Sequence, residues 1–335
     1  MIDSLERSLE SAQKISPART RGVRAFVPLC SIGALLLGAA VLLVFARYSG
    51  PEFGRKVDPV SLRDLLDLPP SQVCQLPVER LNLLCAKGLS PGNDPDLEPC
   101  EATLREWAHR VRSETERHQY RFARNPGEFE NSPGFFRMLM LAVVLTEDYQ
   151  VRYDLQRKAG PAESRMDDGF FGDPAAVFLH GLLGPERKGT CSSMPVLYVA
   201  VGRQLGYPLK LVTTKGHLFV RWEGASERFN IEATGHGLNR FDDDYYRRWP
   251  FQITPEEEQA EGYLKSLTPA EELAVFLSIR GMCLREQGRF PEATESFAAA
   301  VRLAPGCHSY RKMLVSLEAD LSQQSLKTGA RTARN

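Results

Sequence analysis

Cys191, His217 and Glu232 are the residues whose types and order could do chemistry together. A thiol activated by an imidazole, with the imidazole held by a third group, is a recurrent nucleophile for covalent acyl transfer. The segment from Lys188 reads KGTCSSMP, then VLYVAVGRQLGYP, KLVTT, KG, HLFVRWE, GA and SERFNIEAT. It predicts a thiol at the start of a helix, followed by three short strands that return an imidazole and a carboxylate to it.

The helix must place the thiol. Ser192 and Ser193 are good N-cap residues, and Pro195 fits a first turn in which its missing N–H has no partner to lose. Val196, Leu197, Ala200, Val201 and Leu205 make an apolar face at helical spacing. Gly206 closes the helix, with Pro208 beyond it. Cys191 therefore sits at the positive end of a helix dipole, which favours thiolate over thiol. Gly189 gives the backbone freedom to turn just before it. The same position also suits a buried apolar thiol, because free cysteine is often buried. Position alone leaves both readings open.

The strands must place the other two groups. Residues 217–234 alternate with period two on both sides of Gly224-Ala225, a two-residue hairpin loop with Gly first. Pairing Glu223 with Ser226 sets Leu218 opposite Ile231, Val220 opposite Phe229 and Trp222 opposite Glu227 on a buried face. The other face carries His217 opposite Glu232, Phe219 opposite Asn230 and Arg221 opposite Arg228. Opposed residues have Cβ atoms roughly 5 Å apart, so Glu232 reaches the ring. Asn230 is the fallback third member. A one-residue slip would bury the polar set, so the faces are well specified.

The run GTCSSMPVLYVAVGRQLGYPLKLVTTKGHLFVRWE…FNIEATGHG resembles the transglutaminase-like superfamily, and within it a bacterial branch. The resemblance covers about residues 165 to 250. It implies a papain-related fold with Cys191 as nucleophile, His217 as base and Glu232 in the place usually held by Asp. Fold alone does not fix the reaction.

The rest of the chain bounds these readings. Lys plus Arg and Asp plus Glu are 42 each in 335 residues, and no basic stripe interleaves with aromatics, which argues against a nucleic-acid partner. Ala25 to Ala46 is uncharged and long enough for a bilayer, which needs about 20 residues. Arg7, Lys14, Arg19, Arg21 and Arg24 precede it, predicting an uncleaved single-pass anchor, a cytoplasmic N-terminus and an extracytoplasmic main domain, periplasmic in a Gram-negative cell. Residues 51–160 read as helical, with a helix over 101–118 and an apolar core helix over 135–149. Residues 173–183 read as another, on which His180 has a structural role. The acidic run Asp242-Asp243-Asp244 lacks the spacing of a calcium loop and reads as a solvated turn. Cys74, Cys85 and Cys100 allow one disulfide in an oxidising compartment, and Cys283 with Cys307 another, with connectivity open. No CxxC or zinc-type spacing occurs, so neither metal nor cofactor is expected.

Residues 271–288 and 291–303 form a helix pair, and Gly281, Leu284, Gly288, Phe290, Ala293, Phe297, Ala300, Leu303 and Pro305 resemble one tetratricopeptide unit. Such units stack to bury their faces, so a lone one must lean on its neighbour or dock a protein partner. The tail from Ser322 is polar and basic and reads as disordered.

The sequence thus predicts an α+β protein. Its parts are a cytoplasmic segment (1–24), a transmembrane helix (25–46), a helical region (47–164), a core with the Cys-bearing helix on a short antiparallel sheet (165–265), a helix hairpin (266–321) and the tail (322–335). The expected function is hydrolysis or acyl transfer at an amide or ester carbonyl of a peptide or protein. The alternative is a non-catalytic scaffold or partner-binding module of the cell envelope.

Overall fold

The computed structural model describes residues 59–90, 92–157, 169–234 and 238–332. The short helices α1 (Leu62–Leu66) and α2 (Pro70–Val73) lead into α3 (Val78–Ala86), which is almost wholly buried. Helix α4 (Leu97–Arg124) outruns the expected 101–118 at both ends and buries Leu104, Trp107, Ala108 and Val111 along the predicted face. The expected core helix is α5 (Pro133–Val143), continued by a π-helical turn over Val144–Asp148.

Strand β1 (Arg152–Tyr153) follows. The single helix expected over 173–183 is instead two, α6 (Pro174–Val177) and α7 (Leu179–Leu183), separated by an extended Phe178. A tertiary bond explains the break: the Leu179 N–H donates to the side chain of buried Asn82 at 2.9 Å instead of continuing the helix ladder. Strand β2 (Lys188–Gly189) pairs in parallel with β1. Then come α8 (Met194–Gln204), β3 (Leu209–Thr214), β4 (His217–Glu223) and β5 (Arg228–Ile231), the strands forming an antiparallel sheet in the order β3-β4-β5. The chain ends in α9 (Asp243–Tyr246), α10 (Pro255–Glu261), α11 (Pro269–Glu286), α12 (Phe290–Leu303) and α13 (His308–Thr332). The fold is α+β, with α8 packed across β3 and β4.

Both faces of the sheet are covered. Leu211, Leu218, Val220, Trp222, Phe229 and Ile231 join the main core. Val212 and Phe219, pointing the other way, meet Tyr246, Ile253 and Leu264 in a second, smaller core. The predicted faces are those observed, but the register is displaced by two residues. Val220 pairs with Ile231, Trp222 with Phe229 and Glu223 with Arg228, and the loop closes with the Gly224 N–H donating to the Glu227 carbonyl at 2.9 Å. A displacement of two keeps every side chain on its face. Glu227 supplies the reason. Its carboxylate accepts from Ser132 Oγ at 2.7 Å and the Gly134 N–H at 3.0 Å, so it serves the first turn of α5 rather than a place opposite Trp222. An anion is favoured there by the unpaired N–H groups and the helix dipole.

The C-terminal helices are tied into this core. Arg280 donates to the carbonyls of Cys85 (2.9 Å) and Lys87 (2.5 Å), Arg289 to that of Gly88 and Gln287 to that of Leu89, satisfying the carbonyls at and beyond the C-terminus of α3. Arg203 of α8 grips the fully buried Glu272 carboxylate through two bonds of 2.9 and 2.5 Å. Helix α12 lies close along α11, its Phe297 ring 2.5 Å from where a Cβ on Gly281 would stand. The tail expected to be disordered is helical through Thr332. Once Leu317 is anchored in the core, extending α13 is propagation, which is far easier than nucleation.

Among the described residues all cysteines are free. Cys307 turns its sulfur to Glu261 (3.4 Å) rather than to Cys283, which is buried. The expected anchor at 25–46 lies outside the described residues, among which no helix is long and apolar enough to cross a membrane.

Replacing Arg203 with Met should lower the unfolding free energy by about 3 kcal/mol in urea titration, because Glu272 is left buried and unpaired. The double change Arg203→Met with Glu272→Leu should recover most of that loss. A double change as damaging as the single one would show that the ion pair does not hold α11 in place.

Candidate active site

Cys191 is held by a turn that closes on both of its sides. Thr190 Oγ1 and Ser193 Oγ both donate to the Ala176 carbonyl, at 3.1 and 2.9 Å, and the Thr190 N–H donates to Ser193 Oγ at 3.0 Å. Ser193 occupies the N-cap of α8, but its hydroxyl serves this clamp and makes no capping bond. Gly189 is required for space rather than for an unusual backbone angle: a Cβ there would lie 2.7 Å from both Leu182 and Ser193 Oγ. Gly206 does adopt the left-handed conformation expected past the helix end, with φ of 76°. Cys191 itself is 4 % exposed.

His217 opens β4, directly after the two-residue Lys215-Gly216 turn, and pairs with Thr214 of β3. Its Nε2 meets Glu232 Oε2 at 2.7 Å, and the Cys191 thiol acts on the same ring electrostatically. With Nε2 on the carboxylate, Nδ1 is the nitrogen left for sulfur. Glu232 lies just past β5, bridged to Asn239, and each of its oxygens has two donors. Oε2 takes the imidazole and the Tyr246 hydroxyl at 3.2 Å, while Oε1 takes the Thr234 N–H at 3.1 Å and its hydroxyl at 2.6 Å.

This geometry sets the charges. Burial disfavours a charged ring, but the Glu232 carboxylate and the nearby Cys191 thiol outweigh it and push His217 up to about 9. Burial likewise opposes ionisation of Glu232, yet His217 and the Thr234 donors hold its carboxyl below the ordinary value. The stabilisation from charged His217 is complete below the ordinary histidine pKa and is lost as pH rises through about 9. That from ionised Glu232 is present above the ordinary carboxylate range and is lost as pH falls through its lowered value. Around neutral pH the pair is therefore held as imidazolium and carboxylate.

Asn230, the fallback, is turned away from the imidazole. It accepts from Arg221 Nε at 2.8 Å and donates to Asp243 Oδ1 at 2.8 Å and the Phe241 carbonyl at 3.1 Å. Arg221, 1 % exposed, also donates to Asp243 Oδ1 at 2.6 Å and to the Leu264 carbonyl. The acidic run is thus not a freely solvated turn. Asp242 caps α9, and Asp243 pins that helix to the sheet. Sequence reasoning missed Tyr246 and Trp249, whose rings flank His217 at 6.2 and 4.7 Å. A polar loop carrying Phe241, Tyr245, Tyr246 and Trp249 was the available signal, because that many aromatic rings need something to pack on.

His180 stands apart, its ring nitrogens buried and unpartnered among the described residues, with burial holding its pKa below the ordinary value. Among the same residues no three His, Cys, Asp or Glu side chains are grouped to hold a metal ion.

A family model described as the transglutaminase-like superfamily matches residues 99–277, from α4 into α11. No curated protein and no solved structure matches the chain.

Glu232→Gln should bring the His217 titration, followed by NMR of labelled imidazole nitrogens, from about 9 to well below that value, since burial would then face weaker opposition. An unmoved titration would show that the carboxylate does not set the charge of the ring.

Proposed function

The chain belongs to the transglutaminase-like superfamily, whose domains are typically cysteine-based catalysts, and we propose that it is a cysteine enzyme acting on amide or ester carbonyls through Cys191, His217 and Glu232. The observation that supports this best is the 2.7 Å bond between the His217 imidazole and the buried Glu232 carboxylate, on a ring whose charged form the neighbouring Cys191 also favours.

The steps follow from the geometry. The Cys191 sulfur, its proton on His217, adds to the carbonyl carbon and gives a tetrahedral oxyanion beside the N-terminal end of α8, where the helix dipole favours negative charge. Collapse breaks the bond to the amine or alcohol, and that leaving group takes its proton from His217. A thioester on Cys191 remains. Water, or another nucleophile, then adds to the thioester while His217 accepts its proton, and collapse releases the acyl product and restores the thiol. Glu232 keeps the ring oriented and stabilises its charged form throughout. Hydrolysis is preferred over cross-linking because it needs only water as acceptor. The substrate is a peptide or protein, brought to an extracytoplasmic domain anchored by the stretch from Ala25 to Ala46. The C-terminal helices offer a surface for a protein partner.

One observation favours a second reading, a non-catalytic scaffold: the low exposure of Cys191. A catalyst must admit a carbonyl to that sulfur, and a scaffold need not.

Iodoacetamide alkylation of Cys191 in the full chain, read by peptide mass spectrometry across pH, separates the two. The enzyme reading expects rapid reaction well below the ordinary thiol pKa of about 8.5, lost in His217→Ala and weakened in Glu232→Gln. It also expects turnover to vanish in Cys191→Ala and to persist as a reduced remnant in Glu232→Gln. A thiol that reacts slowly and ignores both neighbours would leave the scaffold.

A further inference from the structure

We infer that Tyr246 is a fourth member of the site, a positioning residue that shares the Glu232 carboxylate with His217 and so limits how tightly that carboxylate holds the proton on the ring. The inference rests on the triad reading above and concerns its tuning.

Three observations place Tyr246 in this role. Its hydroxyl donates to Oε2 of Glu232, the same oxygen that receives the imidazole. Its ring lies 3.7 Å from that of Phe219 and within 4° of parallel, so the hydroxyl is aimed by packing in the smaller core. Its own carbonyl accepts from Thr214 Oγ1 at 2.9 Å, and Thr214 is the strand partner of His217. One residue therefore grips the acid with its side chain and the hairpin of the base with its backbone. Helix α9, which carries it, is fixed to the sheet by the Arg221–Asp243 pair.

The electrostatic consequence has a sign. A hydroxyl dipole directed at Oε2 withdraws negative charge from the oxygen that faces the ring. Without it the carboxylate attracts the imidazolium more strongly, and the ring surrenders its proton less readily. An imidazolium held too tightly is a poor acid toward the leaving group, because proton transfer is most efficient when the donor's pKa lies near the working pH. The hydroxyl thus keeps the ring able to give its proton away. Among the described residues the titratable and charged groups facing these side chains are Cys191 and Glu232 on His217, Tyr198, Tyr245 and Tyr246 on Glu232, and Tyr245 and Arg221 on Tyr246. None of the three tyrosines ionises below its ordinary value, so the effect of Tyr246 is that of a donor and not of a charge.

The test is the pH profile of Cys191 alkylation by iodoacetamide in the full chain, compared among the unaltered protein, His217→Ala and Tyr246→Phe. The last keeps the ring stack and removes only the hydroxyl. The alkaline step, assigned to His217 by its loss in His217→Ala, should move up by roughly half a pH unit in Tyr246→Phe, the scale of one weak bond to a charged acceptor. A step that stays in place while the thermal midpoint is retained overturns the role of Tyr246 and leaves the triad standing. Absence of any His217-dependent step in the unaltered protein overturns the triad and Tyr246 with it. Should Tyr246→Phe fail to fold, site-specific 3-fluorotyrosine at 246 gives a stronger donor of nearly the same shape. There the step should move down, and an unmoved step overturns the proposal.

Discussion

A carboxylate buried as Glu232 is buried can stay ionised only while its oxygens have donors, since an unpaired charge away from water is strongly disfavoured. Four donors meet it, from the start of β4, from the backbone and hydroxyl two residues on, and from α9. Each of these segments is held elsewhere in turn. The Lys215-Gly216 turn fixes where β4 begins, and Arg221 with Asp243 fixes α9. The need to satisfy one anion thus ties the sheet, the loop after it and the second small core into a single arrangement. The imidazole is oriented as a by-product of that same requirement.

Much of this was legible in the chain because it is periodic. Alternation with period two gave the two faces of the sheet, and spacing with period 3.6 gave the helix that follows Cys191 and the one that carries Trp107. Register was not legible, because a displacement of two leaves the pattern of faces unchanged. Only Glu227, drawn out of the strand by a helix start more than ninety residues earlier, decides it. The break at Phe178 has the same origin, in an Asn82 side chain that no local pattern could announce. Tyr246 and Asp243 escaped for a further reason. They close on Glu232 and the sheet from a segment without periodicity, and composition does not reveal which of three consecutive aspartates turns inward.

The Cys191 thiol is positioned by a different economy of means. The hydroxyls of Thr190 and Ser193 both bond the Ala176 carbonyl and so fix the backbone on which the sulfur rides. The close packing at Gly189 removes the space in which that turn could relax. The thiol and the imidazole are therefore set by two separate frameworks, the turn before α8 and the β3–β4 hairpin.

The carbonyls at the end of α3 carry a consequence for how the molecule comes into being. Their donors, Arg280, Gln287 and Arg289, lie about two hundred residues later in the chain. During synthesis α3 must wait, its last turn unfinished, until α11 has emerged. Contacts of such long sequence separation form late, because the intervening chain must first be brought to closure. Helix α8, which follows the thiol, is joined to α11 by the Arg203–Glu272 pair, so its final seating shares that delay. A nascent chain therefore carries Cys191 for some time before its folded surroundings exist.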